Sequence, residues 1–431
     1  MIDPLAACLI LLAFLAFGGL SMGPAIIAAS TAYLLLKGLD PSIAAESILQ
    51  GLFNGYTLLA IPLFILAADI MNAGSLADRL LAFCRALVGR LKGGLGHVNV
   101  VASLIFSGMS GSAIADAVGM GKIIINMMTK DGKYSASYAA AITAASATIG
   151  PIIPPSIPMV LYALVSDQSV GFLFAAGIVP GLLMAAMLML MNMVMAHRRK
   201  FPTDDKIPLR DFPRITFEAT PALLLPVILL GGIYGGVMTP TEAASVAAFY
   251  ALFISVAFYR SVSARQFYST LVAAARSTAT VGILIAGALA LKYVITRENL
   301  PDIVAAFIGQ YDLSVVGFLI VLNLVFLVLG CLIDAGAILL IIVPIFIPTA
   351  QALGIDLVHL GVIVVVNAMI GLITPPYGLL LFIVSSISGA PLMQIIRDLL
   401  PFLCALLVAL GIITFCPDVV LWLPRLLGYQ G

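Results

Sequence analysis

From Val170 to Ala196 the chain runs without one charged side chain, and Leu399–Leu421 is nearly as apolar. Each stretch reaches the roughly 20 residues an α-helix needs to cross a hydrocarbon core. Runs of this kind recur along the sequence. Hydrophobic residues make up 62% of its 431 positions and charged residues 10%, whereas soluble domains carry about one quarter charged. No segment is left for a water-soluble core, so the expected fold is an all-α polytopic membrane protein in contact with membrane lipid. The net charge of +1 lacks the clustered basic excess of a nucleic-acid surface, and no nucleic-acid partner is expected. Cys8, Cys84, Cys331, Cys404 and Cys416 have neither metal-ligand nor paired spacing and read as small apolar residues. Met1-Ile2-Asp3-Pro4 leads directly into an apolar run, without the cationic start of a cleavable signal, so none is expected.

The polar breaks organise the runs. Leu5–Leu36 is too long for one ordinary span and is interrupted by Gly18–Pro24, which predicts two short helices. A span at Tyr56–Met71 precedes Leu76–Lys92, where basic residues alternate with Leu, Val and Phe as in a helix lying in the interface. Further spans are expected at Tyr138–Val165, Val170–Ala196, Pro221–Gly236, Thr241–Tyr259, Leu271–Leu291, Leu357–Ser386 and Leu399–Leu421, with an amphipathic stretch at Tyr293–Tyr311. Asn99–Met128 and Val315–Ala350 fit best as re-entrant hairpins. With the N-terminus outside and both hairpins returning to their own side, fifteen basic residues from Arg79 to Arg397, Lys206 among them, lie inside. Only Lys37, Lys292, Arg297 and Arg425 lie outside, while Lys122 and Arg276 fall within apolar segments. Making either hairpin a single crossing destroys this positive-inside bias.

Two halves of the chain match. Met22-Gly23-Pro24 returns as Met238-Thr239-Pro240, and Ile149-Gly150-Pro151-Ile152-Ile153-Pro154-Pro155 as Ile370-Gly371-Leu372-Ile373-Thr374-Pro375-Pro376. One half starts outside and the other inside, so the repeats are inverted: 1–200, then a cytoplasmic linker at 201–217, then 218–431. Each holds a hairpin (98–129; 314–350) followed by a broken helix (138–165; 357–387). Inverted repeats with interrupted helices are a transporter design. A Pro-Pro pair removes two amide donors and bars the preceding residue from helical geometry. Carbonyls freed this way persist within a bilayer only where they face protein, water or an ion. Those around Gly150–Pro155 and Gly371–Pro376 are candidate cation ligands, and a hard cation such as sodium suits oxygen donors.

The hairpins carry the complementary groups. Ser107-Gly108-Met109-Ser110-Gly111-Ser112 joins hydroxyls to a backbone able to turn, and Gly330–Gly336 is its counterpart. Asp116 and Asp334 are carboxylates inside membrane segments, where an acid is costly and points to function; each could instead hold a hairpin tip by accepting backbone N–H bonds. Glu242 follows Thr239-Pro240-Thr241 and reads as a helix cap. Asp69 fits a cap or an ion pair near a membrane face.

In this order, Leu59–Ala67, the Ser110-Gly111-Ser112 tip, Ile149–Pro155, Thr239–Ala244, the Asp334 segment and Gly371–Gly378 resemble the large membrane subunit of TRAP transporters (DctM type), from about residue 5 to residue 425. One position departs: Ala68 stands where the family usually has Gly. The resemblance implies an elevator-type, sodium-driven importer. Its partners would be a small four-helix membrane subunit (DctQ type) and a periplasmic substrate-binding protein (DctP type), which delivers a dicarboxylate, sialic acid or another sugar acid. Carried over by position, one sodium site would use Ser107, Ser110, Gly150, Ile153 and Pro155, and a second Gly330, Asp334, Gly371, Thr374 and Tyr377. Ser110, Ser112 and Thr374 would meet the substrate. Sodium ions are the only cofactor implied, and the bacterial inner membrane is the implied location. A stand-alone ion-coupled carboxylate permease of the same superfamily is the alternative. An intramembrane enzyme is disfavoured, since His97, His197 and His359 lie near predicted membrane edges and no H-E-x-x-H or G-x-S-x-G motif occurs.

Overall fold

The computed structural model describes residues 3–431 except 74–75, 202, 204–209 and 311–312. Of the linker read at 201–217, positions 202 and 204–209, with Lys206 of the charge count, lie outside the described residues, as does Tyr311; from Phe212 on, the stretch read as linker is the start of a helix. The described residues form helices, and eight of these are long and apolar enough to cross a membrane by length and composition. The chain is a multi-pass membrane protein.

The first half opens with the two short helices expected, α1 (Pro4–Phe17) and α2 (Met22–Leu36). Then come α3 (Ser42–Asn54), α4 (Ala60–Ala73) and α5 (Leu76–Val88). The first hairpin is α6 (Gly94–Ser110), α7 (Ala113–Asp116), a π turn at Ala117–Gly121 and α8 (Lys122–Thr129). The broken helix follows as α9 (Ala136–Ala147) and α10 (Ile157–Ser166), and α11 (Val170–Arg199) ends the half.

The second half runs α12 (Phe212–Tyr234), α13 (Pro240–Phe253), α14 (Ala264–Arg297) and α15 (Leu300–Gly309). Its hairpin is α16 (Val315–Leu332), α17 (Ala335–Ala337), a π turn at Ile338–Ile342 and α18 (Val343–Ala352). Then follow the broken helix α19 (Leu357–Gly371) and α20 (Leu379–Ser388), and finally α21 (Leu392–Phe415) and α22 (Pro417–Leu426). Hairpin, π turn and broken helix thus recur in the same order.

The halves interlock: α4 packs along α13, and α14 along α2. The broken helices form the centre of the core. Every residue of α19 is buried, as is Ser137–Ala147 of α9. The alanine-rich face of α9 lets neighbouring backbones approach closely, as small residues do between membrane helices. At the start of α13 the acid reads as foreseen. Glu242 Oε2 accepts from the Thr239 amide at 2.7 Å, while the Glu242 amide donates to Thr239 Oγ1 at 3.3 Å, a reciprocal cap.

Several elements differ from the sequence reading. Helix α12 starts before Pro221–Gly236, and Leu399–Leu421 is divided between α21 and α22 at Cys416. Helix α3 was not foreseen, because Glu46 and Gln50 break the apolar pattern. Helix α14 extends beyond Leu271–Leu291 at both ends. Helix α5 does more than lie in an interface: its apolar face packs on α6 and α12. The Arg79 guanidinium stacks 4.3 Å over Tyr259, whose hydroxyl donates to the Glu218 carbonyl at 2.6 Å.

Two polar clusters fix helix ends. Asp398 on α21 accepts from Arg199 at 2.5 Å and from Ser137 at 2.6 Å, tying α21 to α11 and α9. At the other face, Lys37 pairs with Glu298 at 2.8 Å and Tyr33 donates to the same carboxylate, which joins α2 to the end of α14. The Lys37 ammonium, and then the Tyr33 hydroxyl, hold the Glu298 carboxyl below its ordinary range. Replacing Asp398 by Ala should lower stability by about 1–3 kcal/mol, since two donors lose their acceptor. The same change at exposed Asp418, paired with Arg425 at 2.8 Å, should cost less than about 1 kcal/mol. Unfolding midpoints of the purified variants in detergent check the difference.

Candidate functional site

At each hairpin tip one helix ends and another starts after two residues, Gly111-Ser112 in the first hairpin and Ile333-Asp334 in the second. Gly111 ends α6 with φ 58°, a left-handed conformation that glycine adopts without a Cβ penalty. Ser112 is extended and caps α7 by accepting from the Ala115 amide at 3.4 Å. Asp334 is likewise extended and caps α17, its Oδ1 accepting from the Gly336 amide at 2.8 Å. The hairpins correspond, but their acids do not: Ser112 is the positional partner of Asp334. Asp116 lies at the end of α7, buried, with neither carboxylate oxygen hydrogen-bonded among the described residues.

The helix breaks leave oxygens free. Between α9 and α10 the carbonyls of Gly150, Ile153 and Pro155 accept no hydrogen bond among the described residues. Between α19 and α20 the same holds for Thr374 and Tyr377, and at the second hairpin for Gly330; the Gly371 carbonyl accepts from the Thr374 amide at 3.0 Å. Pro154-Pro155 and Pro375-Pro376 are both cis. Ser107 donates to the Leu104 carbonyl at 2.6 Å and Thr374 to the Ile370 carbonyl at 2.7 Å. Each hydroxyl therefore keeps its lone pairs for a further ligand. Ser110 Oγ is buried and has no partner among the described residues.

Each tip lies against its own break. A Cβ on Gly111 would stand 2.3 Å from the Pro155 carbonyl oxygen, and one on Gly150 3.5 Å from that of Ser112. A Cβ on Gly371 would stand 2.5 Å from the Gly330 Cα, so these two backbones touch. The residues assigned by position to the first site are therefore gathered around one tip–break contact, and those assigned to the second around another. Gly330, Asp334 and Tyr377 line one cavity of about 400 Å³. Ser112 and Asp334 line a smaller cleft of about 180 Å³ between the two tips, faced by Val281 and Leu284 of α14. Ser110 and Thr374 are not among its lining residues.

Matched amides hold each hairpin limb to its broken helix. Asn99 on α6 donates to Thr143 on α9 at 2.6 Å, and Asn367 on α19 donates to Asn323 Oδ1 on α16 at 2.7 Å. Ser103 and Ser146 extend the first pair, with Ser146 donating to Asn99 Oδ1 at 3.0 Å. The sequence reading passed over these residues. Asparagine in the middle of an apolar run was the available signal.

The sequence profile described as "Tripartite ATP-independent periplasmic transporter, DctM component" matches residues 8–419. This chain belongs to the DctM family. Among its relatives are the sialic acid TRAP transporter large permease protein of Vibrio cholerae, 40% identical over 96% of this chain and 97% of that one. The C4-dicarboxylate TRAP transporter large permease protein of Pseudomonas aeruginosa is 44% identical over 86% and 87%. The crystal structure of the Alcanivorax borkumensis YdaH transporter, reported to have an unusual topology, superposes with a TM-score of 0.61 over 88% of both chains at 17% identity. It shares the fold with this DctM chain.

The Gly330–Gly371 contact yields a prediction for the DctM fold. Gly371→Ala should abolish transport and lower the unfolding midpoint, because the new methyl meets backbone rather than a mobile side chain. Gly411→Ala on α21, where nothing lies within 4 Å of the added Cβ, should leave both unchanged. Uptake and thermal unfolding of the two variants provide the check.

Proposed function

We propose that this chain is the large subunit of a sodium-coupled, binding-protein-dependent importer of small organic acids. The observation that carries the reading is the pair of tip–break contacts, each surrounded by carbonyl and hydroxyl oxygens with unused lone pairs. Sodium is bound by such hard oxygen donors, and its charge offsets that of an incoming carboxylate. Site one is Ser107, Ser110, Gly150, Ile153 and Pro155; site two is Gly330, Asp334, Gly371, Thr374 and Tyr377. Ser112 faces the cleft between them, where the solute would sit. Carboxylates as substrates accord with two relatives whose names specify sialic acid and C4-dicarboxylates. In this reading the small four-helix subunit and the periplasmic binding protein complete the transporter. The complex resides in the bacterial inner membrane with the N-terminus periplasmic, in keeping with the basic residues gathered on the opposite side. Helices α6–α10 and α16–α20 move together as an elevator past the interlocked pairs α2–α14 and α4–α13.

Proteoliposomes with all components test it. Replacing external sodium by potassium should reduce organic-acid uptake to background, and full uptake in potassium would overturn the coupling. Ser110→Leu and Thr374→Leu should each raise the sodium concentration for half-maximal uptake at least about tenfold, equivalent to about 1.4 kcal/mol. A wild-type sodium response in both would overturn the site assignment.

A further inference from the structure

The cleft between the tips has one charged side chain in its lining, and it is an acid, Asp334. An organic anion arriving there meets the Ser112 hydroxyl and apolar walls, with no basic side chain to draw it in. A basic group does lie farther along the same walls. A second cavity, of about 420 Å³, is lined by α10, α14 and the second hairpin. It continues the cleft toward the C-terminal end of α14, the outer end in the orientation proposed above. Helix α10 contributes Leu161 to the cleft and Leu164 to the cavity, and the second hairpin contributes Gly336 and then Leu340. Helix α14 contributes Leu284 to the cleft and Lys292 to the cavity.

Lys292 is exposed and takes part in no ion pair or hydrogen bond with the described residues. Asn54 and Thr296 stand in the same lining as neutral hydrogen-bonding groups. The helix end that carries Lys292 is held in place by the Lys37–Glu298 pair just beyond it. A cleft with low-dielectric walls concentrates counter-ions around a charge within it. The volume is of the order of small-molecule sites, about 300–1,000 Å³. An ammonium is a compact point charge on a flexible stem, suited to transient contact with a carboxylate rather than to a rigid two-pronged clamp. Asp167, the one acid in the lining, further weakens the hold.

We propose that this cavity is a waiting site for the carboxylate of the transported acid, with Lys292 as its charge partner, occupied before the anion passes on to the tips. The inference rests on the organic-acid reading above and adds a station that the tip–break sites do not contain.

Thr296→Cys, which places the thiol in the same lining and keeps Lys292, is purified with the small subunit, placed in vesicles and modified from outside with a negatively charged, membrane-impermeant thiol reagent; the parent chain sets the background. Millimolar succinate or N-acetylneuraminate should slow modification several-fold, and neutral succinamide should not. Equal rates with and without the acids would overturn the proposal. So would slowing by anionic phospholipid in place of the acids, which would make the cavity a lipid-phosphate site. In the complete uptake system, Lys292→Gln should raise the substrate concentration for half-maximal uptake about tenfold with a near-normal maximal rate, as expected for a group acting on capture. Lys292→Arg should restore it. Wild-type half-saturation in Lys292→Gln, or a change confined to the maximal rate, would also overturn the proposal. If the wild-type complex shows no uptake while the acids still protect the cysteine, the importer reading fails and the anion site stands.

Discussion

A helix that stops inside an apolar protein strands carbonyl oxygens that hydrocarbon cannot satisfy, at a cost of several kcal/mol each. This chain stops helices twice in its core, after α9 and after α19, and it brings a hairpin tip to each stop. The contact is made by backbone, through Gly111 and Pro155 in one half and Gly330 and Gly371 in the other. Glycine is required because a side chain at either place would hold the two segments apart. The oxygens left over, together with the Ser110 hydroxyl, have lone pairs and no donors. That is the electrostatic character of a cation site, and much of the remaining architecture serves to hold the two contacts in register.

The supports are arranged twice, in matching positions. Asn99–Thr143 and Asn323–Asn367 fasten each hairpin limb to its broken helix. A π turn follows each tip, at Ala117–Gly121 and Ile338–Ile342. Around this body the halves exchange partners, α4 with α13 and α2 with α14. Because α14 passes the tip cleft at Val281 and Leu284 and continues toward its C-terminal end to Lys292, a single helix supplies one wall for the whole path proposed for the anion.

Much of this was legible in the sequence, for reasons that differ by element. Proline leaves a local and unambiguous mark, so both breaks and their repetition could be read directly. Charge asymmetry over the whole chain distinguished hairpins from crossings. Glu242 was recognised as a cap because Thr239 and Pro240 precede it at the right spacing. Helix α3 escaped because its polar residues fit a loop as well as a surface helix. The pairing of Ser112 with Asp334 escaped because a hydroxyl and a carboxylate cap helix starts equally well, so their equivalence shows in backbone geometry rather than residue type. The closeness of Gly330 and Gly371, 41 positions apart, is a property of the folded core that no local pattern records.

Coupling as proposed requires that the stranded oxygens at the two tip–break contacts bind sodium. Its most direct test needs neither substrate nor partner: the unfolding midpoint of the purified chain, measured as sodium replaces potassium at constant ionic strength. Ligands that bind only the folded state stabilise it by mass action, about 2.7 kcal/mol per site at one hundred times the dissociation constant. Sodium binding at these contacts should make the midpoint climb with sodium, and climb less in Ser110→Leu and in Thr374→Leu. A midpoint indifferent to the choice of cation would contradict it.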